Sequence, residues 1–304
     1  MGGFFVKVAK CALRLLPAWP APDYLPLDQI TESSALNRAR CEFEDERAGG
    51  FLKFFAGQVM PSGHLMLDLG CGFGGRTVEF QRILGGHMIG LEIDSRMAAP
   101  ALRFARSMGA AEVSFLVGVG EALPFKDNGL DAILSYDVLE HVRDPEACLR
   151  ECWRALKPGG LLFLVFPPYF HPLGAHLEGY VSRVPCAHWF FPPKVLLGAI
   201  DQILSERGDG FRPQPLRPSD KLYGLNGLTI RRFEKILEGL GFEAIYMKYL
   251  PLLSPMNRKY ESWKMRYYAW ALGPLPRIPI LRECFTHRVA AILRKSLTGS
   301  EALL

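Results

Sequence analysis

Residues 64–75 read HLMLDLGCGFGG, a short apolar run that ends in four glycines within six residues. Such a run is a buried strand, and a glycine-rich turn opening onto a helix from Arg76 lets the backbone approach a ligand closely. The first turn of that helix presents unpaired N–H groups to an anion such as a carboxylate or phosphate. Strand, glycine turn and helix in this order constrain the chain to an α/β fold. The pattern continues downstream. Short apolar runs stand at 87–93, 113–117, 130–135 and 161–166, with helical stretches from Asp94 to Met108 and in DPEACLRECWRAL between them. Strands buried on both faces and separated by helices form a parallel sheet. A helix (LTIRRFEKILEGLGF), a strand (EAIYMKYL) and a last strand (THRVAAILRK, 286–295) complete the regular text.

Two stretches break the rhythm. Residues 167–228 hold many Pro, Gly, His and aromatic residues and little periodicity, and 251–282 are rich in aromatics and proline. Long irregular segments of this kind serve as lids or substrate-binding insertions. Residues 1–60 read as a basic appendage and helical cap, and 61–304 as one domain with two excursions. The 304 residues are 49% hydrophobic and 22% charged, which excludes a disordered chain. No run reaches the ~18 apolar residues of a membrane span. Lys7, Lys10 and Arg14 interrupt the apolar N-terminal stretch, so it reads as a retained segment rather than a secretory signal. Seven scattered cysteines without a CxxC pair argue against a disulfide framework and for a reducing cytoplasm. The net charge of +5 is uneven. Residues 1–20 carry three basic side chains and no acid, and 245–304 carry ten Lys/Arg against three Glu, leaving an acidic body. A nucleic-acid binder spreads a basic face over its fold, so no nucleic-acid partner is expected.

Gly70, Gly72 and Gly75 satisfy GxGxxG, which also admits a dinucleotide-binding oxidoreductase. In either reading an acidic residue ending the second strand holds ribose hydroxyls, and Glu92 stands there. Further motifs decide between them. DLGCGFG, GLEID, GEALPF (120–125), LDAILSYDVLEHV (130–142) and LKPGG (156–160) occur in order. Together they make the chain resemble the class I S-adenosylmethionine-dependent methyltransferases, in their ubiquinone/menaquinone or type 11 branch. The resemblance spans about residues 64–166. It implies a doubly wound, mostly parallel seven-stranded sheet whose last strand is antiparallel, a Rossmann-like fold with the two irregular stretches as lid insertions.

The resemblance also implies a site. Asp68 and the loop Gly70–Cys71–Gly72–Phe73–Gly74 hold the methionine part of S-adenosyl-L-methionine. Glu92 takes both ribose hydroxyls, Ile93 lies against the adenine, and Gly120, Glu121 and Ala122 flank it. Val119 stands where the family carries an Asp that accepts from the adenine amino group, so that contact rests on backbone groups or shifts to Glu121. Ser135 and Tyr136 end the fourth strand beside the transferred methyl.

The acceptor is expected to be small or lipid-like, with O-methylation favoured and C-methylation as the alternative. A hydroxyl acceptor needs a base, and histidine suits neutral pH. His141, His171, His176, His188 and His287 are the supply. His176 is the candidate general base, with His141 and Tyr136 as further catalytic candidates. Asp137, Glu140 and His141 resemble a Glu-x-x-Glu-His element that binds a divalent ion in some O-methyltransferases, but no metal is assigned to them. No Asn/Asp-Pro-Pro-Tyr motif follows the fourth strand, which disfavours DNA adenine methylation. The rival reading is a cofactor-binding scaffold without catalysis. Residues 3–16 suit a short amphipathic helix, and residues 246–282 interleave Tyr and Trp with Lys and Arg. Both suit a water–lipid interface, so peripheral contact with an anionic membrane, at its inner face, is a further expectation.

Overall fold

Apolar runs too continuous for a half-exposed strand build the centre of the molecule. In the computed structural model, the described residues are 2–17, 65–177, 181–208, 224–251 and 273–296, with positions 41, 50–55, 57, 58, 221, 222, 267, 270 and 271. Helix α1 (Gly2–Arg14) precedes β1 (Leu65–Leu69), α2 (Gly75–Leu84), β2 (His87–Glu92), α3 (Ser95–Ser107) and β3 (Val113–Val117). Then come β4 (Leu130–Tyr136), α4 (Pro145–Ala155), β5 (Leu156–Phe166), α5 (Ala187–Phe190) and α6 (Pro193–Arg207). The chain continues with α7 (Ile230–Glu238), β6 (Phe242–Pro251), α8 (Pro279–Phe285) and β7 (Thr286–Lys295).

The seven strands lie in the order β3-β2-β1-β4-β5-β7-β6. The pairs β1–β2, β1–β4, β2–β3 and β4–β5 are parallel. Strand β7 runs antiparallel to β5, from Leu161 opposite Arg294 to Phe166 opposite Val289. This is the expected topology. The helices start where the sequence supplies caps. Asp94 accepts from the Arg96 amide at the head of α3, and Asp144 accepts from the Glu146 and Ala147 amides ahead of Pro145.

The chain divides into two compact units. One comprises residues 30–166, 231–248 and 289–304 and holds the sheet. Its core stacks Phe51, Phe55, Phe80 and Phe163 edge-to-face or tilted at 5.2–5.3 Å, and Phe166 meets Phe233 at 4.9 Å. The other comprises residues 1–29, 167–230 and 249–288. Its core forms where α1 lays Ala9 and Leu13 with Leu196, Ala199, Ile200, Ile203 and Leu204 of α6. The Ser182 hydroxyl donates to the Leu13 carbonyl at 2.6 Å, and Lys10 and Arg14 pair with Glu206.

Two elements differ from the sequence reading. Strand β5 begins at Leu156, not Leu161, so Lys-Pro-Gly-Gly lies inside the strand rather than in a turn before it. A register shift between Leu130 and Ala132 absorbs the extra residues, and Gly159 takes φ +79°. Lys157 Nζ reaches Asp131 Oδ1 at 2.7 Å and pins the irregular end. Within 167–228, α6 is fifteen residues of regular helix. Its buried positions follow an i, i+3, i+4, i+7, i+8 pattern, and Pro193 initiates it at the first turn. Of the helical text expected over 31–60, only 41, 50–55, 57 and 58 are described, and Arg258, Lys259, Tyr260, Trp263, Lys264, Arg266 and Tyr268 lie outside the described residues. Among the described residues no disulfide forms, and no helix is long and apolar enough to cross a membrane.

Candidate active site

The glycines after β1 are demanded by what packs beneath them. Gly70 turns the chain at φ +72°, and its amide and that of Cys71 both donate to the Leu91 carbonyl, at 2.8 and 3.1 Å. A Cβ on Gly70 would stand 2.4 Å from Val138 Cγ2, and one on Gly74 2.6 Å from the Phe115 ring. Both atoms would fall far inside van der Waals contact. Gly72 and Gly74 are also left-handed, at φ +57° and +79°. The loop therefore lies flat on β2, β3 and the turn after β4. Gly74 caps α2 with no side-chain hydrogen bond, so the positive end of the helix dipole faces the loop unneutralised by a cap.

Asp68, fully buried at the end of β1, accepts from the Thr77 hydroxyl at 2.7 Å through Oδ2, while its buried Oδ1 has no hydrogen-bond partner. Burial raises its pKa to about 6, against the opposing pull of the Arg76 charge and the Thr77 hydroxyl, with Glu92 adding a smaller upward push. The sequence reading missed Arg76 and Thr77 as site residues. Arg76 Nη2 donates to the Gly70 carbonyl at 3.2 Å, and its guanidinium lies 5.3 Å from the Tyr136 ring centroid. Their place on the first turn after the glycines was the signal available.

Glu92, partly exposed at the end of β2, is oriented by backbone. The Gly72 amide donates to Oε2 at 3.0 Å and the Asp94 amide to Oε1 at 3.1 Å. Each oxygen keeps a lone pair for a further donor. Ile93 beside it is 62% exposed. Across the strand end, the Gly118 amide donates to the Glu92 carbonyl at 3.0 Å. Gly120 is buried against Cys148 Sγ, which a Cβ there would approach to 2.9 Å, whereas Val119 and Ala122 are exposed and bridged to each other. The Glu121 carboxylate accepts from the Arg143 and Asp144 amides, at 2.6 and 3.2 Å, and so secures the approach to α4.

At the end of β4, Ser135 and Tyr136 are buried. The Tyr136 ring meets Phe51 edge-on at 5.5 Å and Phe54 at 6.4 Å. Asp137 comes next in the left-handed region at φ +56°, its amide held by the Val165 carbonyl at 2.9 Å. Glu140 is 3% exposed, and neither carboxylate oxygen has a hydrogen bond. Burial pushes its pKa up to about 8. His141, exposed, brings Nε2 to 3.7 Å from Glu140 Oε1. Among the described residues no three His, Cys, Asp or Glu side chains come together as metal ligands, Asp137, Glu140 and His141 included.

The other histidines belong to the second unit. His176 sits at φ +53° with its amide on the Leu173 carbonyl at 2.9 Å, an unusual conformation for a residue with a side chain. His171 Nε2 lies 3.1 Å from His287 Nδ1, and the Leu173 amide donates to His171 Nδ1 at 3.2 Å. That amide fixes the tautomer: His171 carries its proton on Nε2 and donates it to His287. Burial holds both rings well below the usual imidazole range, His287 to about 4, and the neighbouring His287 adds to the effect at His171. His188 is buried edge-on against Tyr169 at 5.1 Å, with its pKa lowered to about 4 by burial.

Residues 67–164 match the family model described as a methyltransferase domain. Over these residues the chain is similar to S-adenosylmethionine-dependent methyltransferases. Its sequence likeness runs to the ubiquinone branch. The ubiquinone/menaquinone biosynthesis C-methyltransferase of Klebsiella pneumoniae is 32% identical over 155 residues, 49% of this chain and 57% of that protein. The ubiquinone biosynthesis O-methyltransferase of Parvibaculum lavamentivorans is 32% identical over 160 residues, 52% of this chain and 60% of that protein. The chain thus spans under two thirds of the length of these relatives. The methyltransferase fold is also that of the geranyl diphosphate C-methyltransferase of Streptomyces coelicolor, with a TM-score of 0.51 at 18% identity over 91% of this chain and 87% of that one. The Haemonchus contortus phosphoethanolamine N-methyltransferase 2 gives a TM-score of 0.54 at 18% identity, over 89% and 59%.

Proposed function

We propose that the protein transfers the methyl group of S-adenosyl-L-methionine to a small or lipid-like acceptor, with oxygen as the favoured methyl-accepting atom and carbon as the alternative. The observation that carries this reading is the Glu92 carboxylate, held by the Gly72 and Asp94 amides at the lip of the glycine loop. Two carboxylate oxygens so held, each with a lone pair to give, fit the two hydroxyls of a ribose. The buried Oδ1 of Asp68 and the uncapped N-terminus of α2 fit the charged amino-acid end of the same molecule. The named relatives, one a C-methyltransferase and one an O-methyltransferase, support the class of acceptor.

When bound, the cofactor supplies a methyl group made electrophilic by its positive sulfur. The chain's own residues bind, orient and exclude water. Glu92 holds the ribose, Ile93, Gly120, Glu121 and Ala122 flank the adenine, and Ser135 and Tyr136 wall the methyl side. The Glu121 carboxylate accepts from the Arg143 and Asp144 amides through Oε1 alone, so adenine recognition rests on backbone groups or on its Oε2. The acceptor–carbon bond forms as the sulfur–carbon bond breaks in line, so alignment supplies most of the rate. A hydroxyl acceptor needs a base for its proton; His176 is the proposed base, with His141 as the further candidate.

Incubation with S-adenosylmethionine and a fractionated lipid and quinone-precursor extract, read by mass spectrometry, tests the reading. S-adenosylhomocysteine and one methylated product are expected, with kcat lowered about 10²-fold or more in His176→Ala. Calorimetry that finds no cofactor binding sinks the proposal. Full turnover by His176→Ala removes that residue alone.

A further inference from the structure

Helix α1 buries one apolar stripe and exposes another. Val6, Ala9 and Leu13 face inward to α6. On the opposite side Phe4 is 69% exposed, Phe5 52% and Val8 42%, with Cys11 exposed in line. Leu15, just beyond the last turn, is 77% exposed. At 100° per residue these five positions fall within about 120° of arc. Exposed Lys7 and Arg14 lie along one edge of that arc, and the helix contains no acidic residue. The outward stripe cannot serve the helix's own core, because the inward stripe and the ion pairs of Lys10 and Arg14 with Glu206 already fix the helix on α6.

The rest of the same unit shares this character. Its segments hold 16 Lys and Arg against 9 Asp and Glu, a net +7. They also hold every exposed aromatic among the described residues: Phe4, Phe5, Phe170, Trp189, Phe190, Tyr267 and Trp270.

We propose that the outward face of α1 docks on an anionic lipid bilayer. A 13-residue helix is about 20 Å long. That suits a helix lying in the interfacial plane, with Phe4, Phe5, Val8 and Leu15 in the acyl boundary and Lys7 at headgroup depth. Charge selects the partner. A second copy of the chain would set a second unit of net +7 against the first, whereas anionic headgroups attract that charge. The attachment is peripheral and does not depend on which acceptor is methylated.

Flotation of the full-length protein tests this. The vesicles are phosphatidylcholine alone, or phosphatidylcholine with phosphatidylglycerol, each at low and at high salt. The protein is expected to float with the phosphatidylglycerol vesicles at low salt, several-fold less at high salt, and hardly at all with phosphatidylcholine alone. The double variant Phe4→Ser/Phe5→Ser should lose flotation about tenfold, and Lys7→Glu several-fold, while circular dichroism and cofactor binding stay unchanged. Wild-type protein that remains at the bottom of the low-salt gradient overturns the proposal. So does a double variant that floats as well as wild type. Sedimentation equilibrium provides the remaining arm: a dimer abolished by the double variant, without vesicle binding, assigns the face to a second copy instead.

Discussion

The Gly72 amide donates to Glu92 Oε2 at 3.0 Å, tying the glycine loop to the end of the next strand. A charge-assisted hydrogen bond is worth about 1.5–3 kcal/mol. Glu92→Ala removes this tie and the two proposed ribose contacts together. Isothermal titration calorimetry should give a Kd for S-adenosylmethionine weaker by tens-fold or more. Glu92→Gln, which keeps an acceptor oxygen, should lose less. Wild-type affinity in Glu92→Ala would refute the ribose assignment.

Gly70 has no tolerance for a side chain. Its φ of +72° and the 2.4 Å approach to Val138 Cγ2 act together in Gly70→Ala. Left-handed strain of about 1–2 kcal/mol adds to an overpacking cost of about 1–3 kcal/mol. Urea denaturation is expected to place Gly70→Ala about 2–5 kcal/mol below wild type. Gly208→Ala is the control for a left-handed glycine alone, because Gly208 stands at φ +64°, ψ +12° and nothing lies within 4 Å of its Cβ position. Equal losses at the two sites would show that the Val138 contact contributes nothing.

The Glu140 carboxyl, raised to about 8 by burial, makes stability depend on pH in a defined direction. The folded state holds the proton more tightly than the unfolded chain does. The contribution is therefore fully present below the unfolded pKa near 4.5 and is lost as pH rises towards 8. Glu140→Gln cannot ionise. Its melting temperature relative to wild type should rise steadily between about pH 5 and pH 8. A difference that is flat across that window would show that Glu140 is ionised, and stabilised, at neutral pH.

His171 and His287 give the opposite slope. Both are held neutral by burial, so their contribution is present above the unfolded value of 6.5 and falls away as pH drops towards 4. Wild-type melting temperature should fall between about pH 6.5 and pH 4.5, and His287→Gln should flatten part of that fall. ¹⁵N chemical shifts should report His171 protonated on Nε2 at neutral pH, since the Leu173 amide occupies Nδ1. A proton found on Nδ1 would overturn that tautomer and its hydrogen bond to His287.

The parts legible in the sequence were those governed by local chemistry. Apolar runs too continuous for one-sided strands placed β1 to β5, and Asp94 and Asp144 marked helix starts by capping chemistry that needs only three residues to express. The turn glycines were visible for the same reason, and Glu92 by its distance from them. What was missed depends on distant partners. Lys157-Pro-Gly-Gly reads as a turn until Asp131 and the shifted register of β4 draw it into the sheet. The pattern of α6 was present in Leu196, Ala199, Ile200 and Ile203, but Pro192, Pro193 and Gly198 masked it, and the covering stripe of α1 lies far away in sequence. The histidine pair was equally hidden. His171 and His287 are 116 residues apart, and neither stands in a motif.

The pairing of α1 with α6 also sets a timetable for synthesis. Arg14 and its partner Glu206 are 192 residues apart. At about 5–20 residues per second, roughly 10–40 s pass between the emergence of the two helices. Through that interval Val6, Ala9 and Leu13 have no α6 to cover them, and neither apolar stripe of the nascent α1 is shielded. Helix α1 is made long before the helix that covers it, so the growing chain carries both of its apolar stripes uncovered through that interval.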